Sequence, residues 1–284
     1  LLVLTTLAML AFAGNSLLCR AALRHTSIDA GSFTVVRLVS GAVVLWLLVR
    51  MRPGQHQGRG NWWSALALFA YAAGFSYAYV SLSTGTGALL LFGAVQTTMI
   101  GYGVWRGERL RQVQLLGMLL AFGGLVTLLL PGLSAPPLPA AALMLGAGAA
   151  WAVYSLRGKG AGDPIRVTTG NFGRASVLAL VLGLLVMQHI RLDWAGVGYA
   201  LASGMLASAV GYAIWYTALP ALKATHAATV QLSVPVIAAL GGIVMLGEPL
   251  SWRLSLASLA ILGGIALVMR EKRSEAAESR ATDK

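Results

Sequence analysis

"RGERLRQVQLLGMLLAFGGLVTLL", residues 106–129, is answered 140 positions later by "LGEPLSWRLSLASLAILGGIALVM", residues 246–269. Each stretch opens on Gly-Glu-x-Leu and carries Gly-Gly at the same internal spacing. At that offset Gly107, Glu108, Leu110, Gly123 and Gly124 meet Gly247, Glu248, Leu250, Gly263 and Gly264. At an offset of 137 the match runs backward, and Arg20, Ile28 and Arg37 meet Arg157, Ile165 and Arg174. Leu and Gly identities weigh little in so biased a composition, whereas the charged ones, Arg20, Arg37 and Glu108, weigh more. The chain reads as two copies of one unit, the second longer by three residues around Pro220 to Leu222.

The composition places both copies in lipid. Of 284 residues 57% are hydrophobic and 11% charged, with a mean hydropathy of +0.75; a soluble domain has about 25% charged residues. Apolar runs long enough to cross a bilayer fall near 1–20, 32–50, 62–83, 86–105, 111–130, 138–156, 168–188, 195–219, 224–246 and 251–269. The expected fold is all-α and integral to the membrane, with ten transmembrane helices as two five-helix repeats. An odd number of crossings makes the second copy enter from the other side, so the repeats are inverted. The boundaries are residues 1–131 for the first repeat, 132–139 for a Pro-rich linker, 140–270 for the second repeat and 271–284 for a charged tail, expected to be disordered.

Basic residues set the orientation. With both termini cytoplasmic, inside loops and the tail hold fifteen Lys and Arg against four outside, with Arg37 and Arg174 within apolar runs. The net charge of +12 is spread over short loops and not gathered in a patch, which excludes a nucleic-acid partner. One cysteine, Cys19, excludes an internal disulfide and reads as a packed thiol. The apolar run 1–18 lacks a small-x-small cleavage site and is expected to be a helix of the mature chain. Neither a metalloprotease His-Glu-x-x-His nor a serine-protease site is present, so no enzyme, catalytic residue, metal or cofactor is expected.

Inverted repeats are common in secondary transporters, since two copies that can each take either of two shapes yield alternating access to one central site. With "GERL" at 107–110, "GEPL" at 247–250, a Gly-Gly pair in each last helix and "VPVIAALGGIVMLGEPL" at 234–250, the chain resembles the ten-helix EamA-type branch of the drug/metabolite transporter superfamily. The resemblance implies a multi-pass protein of the bacterial inner membrane, monomeric, whose partners are lipid and a small-molecule substrate. It also implies a central cavity lined by helices 1, 3, 4, 6, 8 and 9. Where the second half has Pro235 the first has Val95, so the expected hinges are Pro235 in one half and Gly93 in the other.

Both Gly-Glu steps read as capped turns, Gly107 with Glu108 and Gly247 with Glu248, with a transport role for the glutamates as the alternative. Gly123, Gly124, Gly263 and Gly264 read as helix-packing positions. The acidic residues all fall in loops, at helix ends or in the tail, which points to facilitated movement rather than proton antiport; antiport through His226 is the alternative. Arg37 and Arg174 are expected to snorkel or to pair with Glu108 or Asp163, attraction of a substrate carboxylate being the alternative.

The candidate binding residues follow the helical period. Tyr71, Phe75 and Tyr79 are spaced by four and share a face, and the repeat maps Phe75 to Tyr212 and Tyr79 to Tyr216. Around them stand Ser76 and Ser208, Asn15, Gln96, Trp151 and Tyr154, and Gln231. Lipid or core packing is the competing reading. Trp62, Trp63, Trp194 and Trp252 fit interfacial belts. A neutral aromatic cavity with amide and hydroxyl groups suits small neutral or amphipathic metabolites. The overall likeness is to YddG-type bacterial exporters of aromatic and other neutral amino acids; a proton-coupled multidrug or metabolite exporter, and a channel or lipid scramblase, are the alternatives.

Overall fold

The computed structural model describes residues 1–52, 58–107, 112–130, 135–158, 162–218, 221–222 and 230–282, with side chains described as far as Val268. Every extended regular element among them is a helix. α1 spans Leu2–His25, α2 Ala30–Arg50, α3 Trp62–Tyr79, α4 Thr84–Trp105 and α5 Gln112–Leu129. α6 spans Leu138–Gly158 and α7 Pro164–Leu185. α8 runs Trp194–Ala218 and is π-helical over Ser203–Val210; α9 is Ser233–Leu246 and α10 Trp252–Thr282. Seven of these, α1, α2 and α4 to α8, are long and apolar enough to cross a membrane. α3 falls outside that set because Trp62, Trp63, Tyr71, Tyr77 and Tyr79 lower its hydropathy, and of its aromatic row Tyr71 and Phe75 reach the site.

Local chemistry explains where the helices begin. Asp29 accepts from the Ser32 amide at 2.9 Å, Asn61 from Ser64 at 2.9 Å, and Asp163 from Ile165 and Arg166 at 2.9 and 3.0 Å. Each caps amides that the helix cannot satisfy itself. Pro164 at the first position after Asp163 adds a polar turn in front of the apolar run, so α7 starts four residues before residue 168, where that run begins. Burial pushes the Asp29 carboxyl up, but hydrogen bonds from the Arg191 and Ser32 amides outweigh it and hold the group below the usual carboxylate range.

α6 begins at Leu138, where the apolar run 138–156 places it, Pro139 being tolerated in a first turn. One expectation changes. The backbone of α10 continues to Thr282 through the tail expected to be disordered, where Ala, Glu, Lys and Arg are strong helix formers. Glu108, and His226 with it, lies outside the described residues.

The outer surface is apolar. Phe122, Leu259 and Val244 are 61, 73 and 82% exposed at places where a soluble helix would carry charge. Trp62, Trp63, Trp194 and Trp252 are exposed in the first turns of α3, α8 and α10. Inside, α5 packs on α10, α3 on α6 and α7, α2 on α7 and α8, α4 on α6 and α9, and α1 on α8 and α9. In lipid these contacts rest on close approach of small residues. A Cβ on Gly148 would meet the Leu91 carbonyl at 2.5 Å, and one on Gly124 would meet the Ala260 side chain at 2.7 Å.

The Gly-Gly pairs divide their work. Gly264 abuts the carbonyl of Gly117 across the α5–α10 contact, whereas Gly123 and Gly263 have nothing within 4 Å of an added Cβ. Gly264→Ala is therefore expected to lose about 1–3 kcal/mol of stability through overpacking, read as a lower melting temperature in detergent. Gly263→Ala should melt like the parent; equal effects would remove the packing assignment. At the other end of the motif Gly107 and Gly247 have φ of +94° and +62°, the left-handed region that ends a helix on glycine.

Candidate functional site

The aromatic face of α3 points into the bundle. Tyr71, Phe75 and Tyr79 are 5, 1 and 0% exposed, which excludes lipid contact for all three. Tyr71 lies 5.5 Å from Phe75, and Phe75 lies edge-on to Tyr79 at 4.7 Å. Trp151 of α6 joins this row to the second half of the chain. Its ring is 4.8 Å from Tyr71, 5.5 Å from Tyr154 and 5.2 Å from Tyr212. Offset and tilted rings at such distances hold one another in place.

A cavity opens beside Trp151. Its wall is formed by Phe12, Asn15, Ser16, Tyr71, Phe75, Leu91, Phe92, Trp151, Ala207, Tyr212 and Gln231. The cavity is small, about 30 Å³, room for about two waters. Asn15, Tyr71, Phe75, Trp151, Tyr212 and Gln231 thus meet on one wall. The other sequence candidates do not line it. Ser76 bonds back to the Ala72 carbonyl at 2.9 Å, Tyr154 pairs with Thr168 at 3.4 Å, and Tyr79 donates to the Thr84 carbonyl at 3.3 Å. Gln96 and Tyr216 stand off the wall, and Ser208 bonds to Arg37 behind it.

A chain of polar groups runs behind the rings. Ser203 donates to Asn15 Oδ1 at 2.6 Å, Asn15 Nδ2 to the Tyr71 hydroxyl at 3.3 Å, and Arg37 Nη2 to the same hydroxyl at 3.1 Å. Arg37 Nε donates to Ser208 at 3.3 Å. Ser203 and Ser208 both belong to the π-helical stretch of α8, an arrangement frequent at functional sites. Within that stretch Gly204 abuts the Arg37 carbonyl, so α2 and α8 approach closely where the chain of bonds crosses.

The expectation that Arg37 and Arg174 behave alike is corrected. Arg174 snorkels, bonding the Arg59 carbonyl at 2.8 Å beside the Trp62 ring. Arg37, 1% exposed, neither snorkels nor pairs with Asp163, whose carboxylate lies 3.5 Å from Arg52.

Beyond Tyr79 one end of the bundle is tied. Arg20 donates through Nε to Glu248 at 3.2 Å and through Nη1 to the Tyr79 and Val80 carbonyls at 2.9 and 3.0 Å. Glu248 also accepts from the Thr84 amide at 2.8 Å. Its charge therefore serves the N-terminus of α4, not only the turn before α10.

The hinge positions also differ. α4 is unbroken through Gly93 and Val95, whereas residues 230–231 are helical, Leu232 is a turn and α9 restarts at Ser233. Pro235 thus lies in the first turn of α9 and not inside a helix. Its ring and missing N–H act on the carbonyl four residues back, that of Gln231, and Gln231 is on the cavity wall.

This bundle has solved and sequenced counterparts. A crystal structure, described only as that of a protein, superposes with a TM-score of 0.62 over 95% of this chain and 98% of its own, at 18% identity. The EamA-like transporter family pattern matches residues 138–270. The threonine/homoserine exporter RhtA of Salmonella typhimurium is 31% identical over 212 residues, covering 68% of this chain and 72% of that protein. The chain belongs to the EamA-like transporter family. An uncharacterized protein of Pseudomonas aeruginosa is 60% identical to this EamA-like chain over 99% of its length and 98% of the relative's. The RhtA of Escherichia coli is 34% identical over half of the chain. Membership, with the apolar helices above, makes this a multi-pass membrane protein.

Sequence reasoning missed five wall residues. Phe12 lies three residues before Asn15 and Phe92 four before Gln96, so the helical period could have reached them. Ser16, Leu91 and Ala207 stand at no such offset from a candidate binding residue, and only packing reveals them.

Proposed function

We propose that this protein is a secondary transporter of the bacterial inner membrane that exports small neutral amino acids by alternating access. The observation that carries the reading is the cavity walled by Tyr71, Trp151 and Tyr212, with Asn15 and Gln231 as its amides. Rings give apolar area, and the amides give fixed donors and acceptors to orient a small polar solute. The RhtA relatives export threonine and homoserine, which makes hydroxylated amino acids the first candidates, with aromatic ones next because of the ring-lined wall.

Ten crossings as two inverted five-helix repeats, both termini cytoplasmic, is the architecture we assign. The packing supports it, because exchanging the halves leaves the main contacts in place. α3 on α6 answers α8 on α1, α4 on α6 answers α9 on α1, and α3 on α7 answers α8 on α2. The pairs α2–α7, α4–α9 and α5–α10 map onto themselves. In that orientation the Arg20–Glu248 tie closes the outer end.

Transport is facilitative in this reading, supported by where the described carboxylates lie. Asp29, Asp163 and Asp193 cap helices and Glu248 ties the closed end, so among the described residues none faces the cavity. In liposomes, labelled threonine should exchange faster when unlabelled threonine is preloaded, without an imposed pH gradient. A strict need for the gradient would reject facilitation, and uptake indifferent to preloading would make the protein a channel.

A further inference from the structure

Arg37 sits two turns inside α2, and no larger side chain in the described structure is buried as completely. Its guanidinium bonds two neutral hydroxyls, Ser208 and Tyr71, and lies 5.2 and 5.0 Å from the ring centres of Tyr71 and Phe75. Nη1 is buried without a hydrogen-bond partner. No described carboxylate pairs with the charge. Glu248 belongs to Arg20, Asp163 lies against Arg52, and Asp29 and Asp193 cap helices.

A lone cation away from water is costly, and its ordinary escapes are snorkelling or an ion pair. Arg174 takes the first and Arg37 takes neither. Two rings and two hydroxyls ease the cost but leave Nη1 without a partner, behind the ring of a cavity-wall tyrosine.

We propose that Arg37 anchors the carboxylate of the transported molecule, the α-carboxylate of a neutral amino acid foremost. The proposal rests on the export reading above and names the group recognised. Tyr71 separates the guanidinium from the open space, lining the cavity on one side and accepting Arg37 Nη2 on the other. Its hydroxyl stands where one carboxylate oxygen would lie. When Tyr71 turns, with its second partner Asn15 following, Nη1 and Nη2 together present the fork that a carboxylate takes bidentately. The arriving charge neutralises Arg37, so the loaded site is cheaper to enclose than the empty one, and closure is coupled to cargo.

The test uses the purified full chain, with ligand-induced shift in melting temperature and transport in liposomes as readouts. Probes are threonine and phenylalanine, their carboxamides, and 3-phenylpropionate, which has a carboxylate and no amine. Wild type should be stabilised by the acids and not by the amides. Arg37→Met should bind the acids at least about 30-fold more weakly, with discrimination against the amides lost, and should melt without ligand no lower than wild type. Arg37→Lys keeps the charge without the fork and should fall between them. If Arg37→Met does not fold, the lysine variant carries the same comparison.

Unchanged preference for acid over amide in either variant overturns the anchor, as does a wild type that no carboxylate stabilises. Amino-acid transport with that preference unchanged defeats the anchor and leaves the export reading standing. Arg37-dependent binding of 3-phenylpropionate without amino-acid transport defeats the export reading and leaves the anchor.

Discussion

Replacing Glu248 by alanine is expected to loosen the tied end of the bundle and expose Cys19 to small thiol reagents at least about tenfold faster than in the parent protein. Glu248 is 5% exposed and connects three elements, through Arg20 on α1, the Thr84 amide at the start of α4 and its own turn before α10. Losing an acceptor that serves a charged donor costs about 1.5–3 kcal/mol. Arg20 retains the Tyr79 and Val80 carbonyls, which keeps the loss from being larger. That energy is expended only in the closed state, so it appears as a population shift and not as unfolding. Cys19 is the natural reporter, being the chain's single cysteine, fully buried and next in sequence to Arg20. Glu248→Gln keeps an oxygen for the Thr84 amide and loses the charge, so its labelling should rise less than that of the alanine variant. If neither Glu248→Ala nor Arg20→Ala changes the labelling rate while both stay folded, the tie has no part in closure.

Much of the fold is legible in the sequence because lipid imposes a single strong rule, long apolar helices, and because the repeat doubles each signal. Apolar runs alone place the starts of α2 and α7 late, at 32 and 168, whereas Asp before a helix and Pro at its first position, as at Asp29 and at Asp163 with Pro164, are readable signs of the true starts. The site was half legible. Spacing by four put Tyr71 and Phe75 on one inward face but carried Tyr79 along, which packs against Gly87 and belongs to the tied end. Repeat symmetry misled at two points. It made Arg37 and Arg174 look equivalent, although one is enclosed by α3 and α8 and the other reaches the Arg59 carbonyl. It also suggested a first-half counterpart to the Pro235 hinge, put at Gly93 because the matching position is Val95, although only the proline lies next to a break in the helical path. The π-helical stretch of α8 has no local signature, since widening of a turn depends on what packs against it.

Trp151→Ala is expected to reduce transport of a small substrate such as threonine on the order of 100-fold, while transport of a bulky one such as tryptophan falls far less. The indole makes three ring contacts, to Tyr71, Tyr154 and Tyr212, each worth about 0.5–1.5 kcal/mol beyond the area that it buries. Tyr71 comes from the first half of the chain and Tyr212 from the second, so Trp151 is where the two halves meet beside the cavity. Removing it leaves a small molecule without a wall on one side, whereas a large one can fill part of the space with its own ring. A purely packing role would lower stability and slow every substrate alike. Trp151→Phe separates the two cases, because phenylalanine restores much of the apolar contact and little of the reach. Its melting temperature should approach that of the parent, and its ratio of tryptophan to threonine transport should lie between parent and alanine variant. A ratio that stays constant across all three proteins would return Trp151 to the core and move the substrate site away from this cavity.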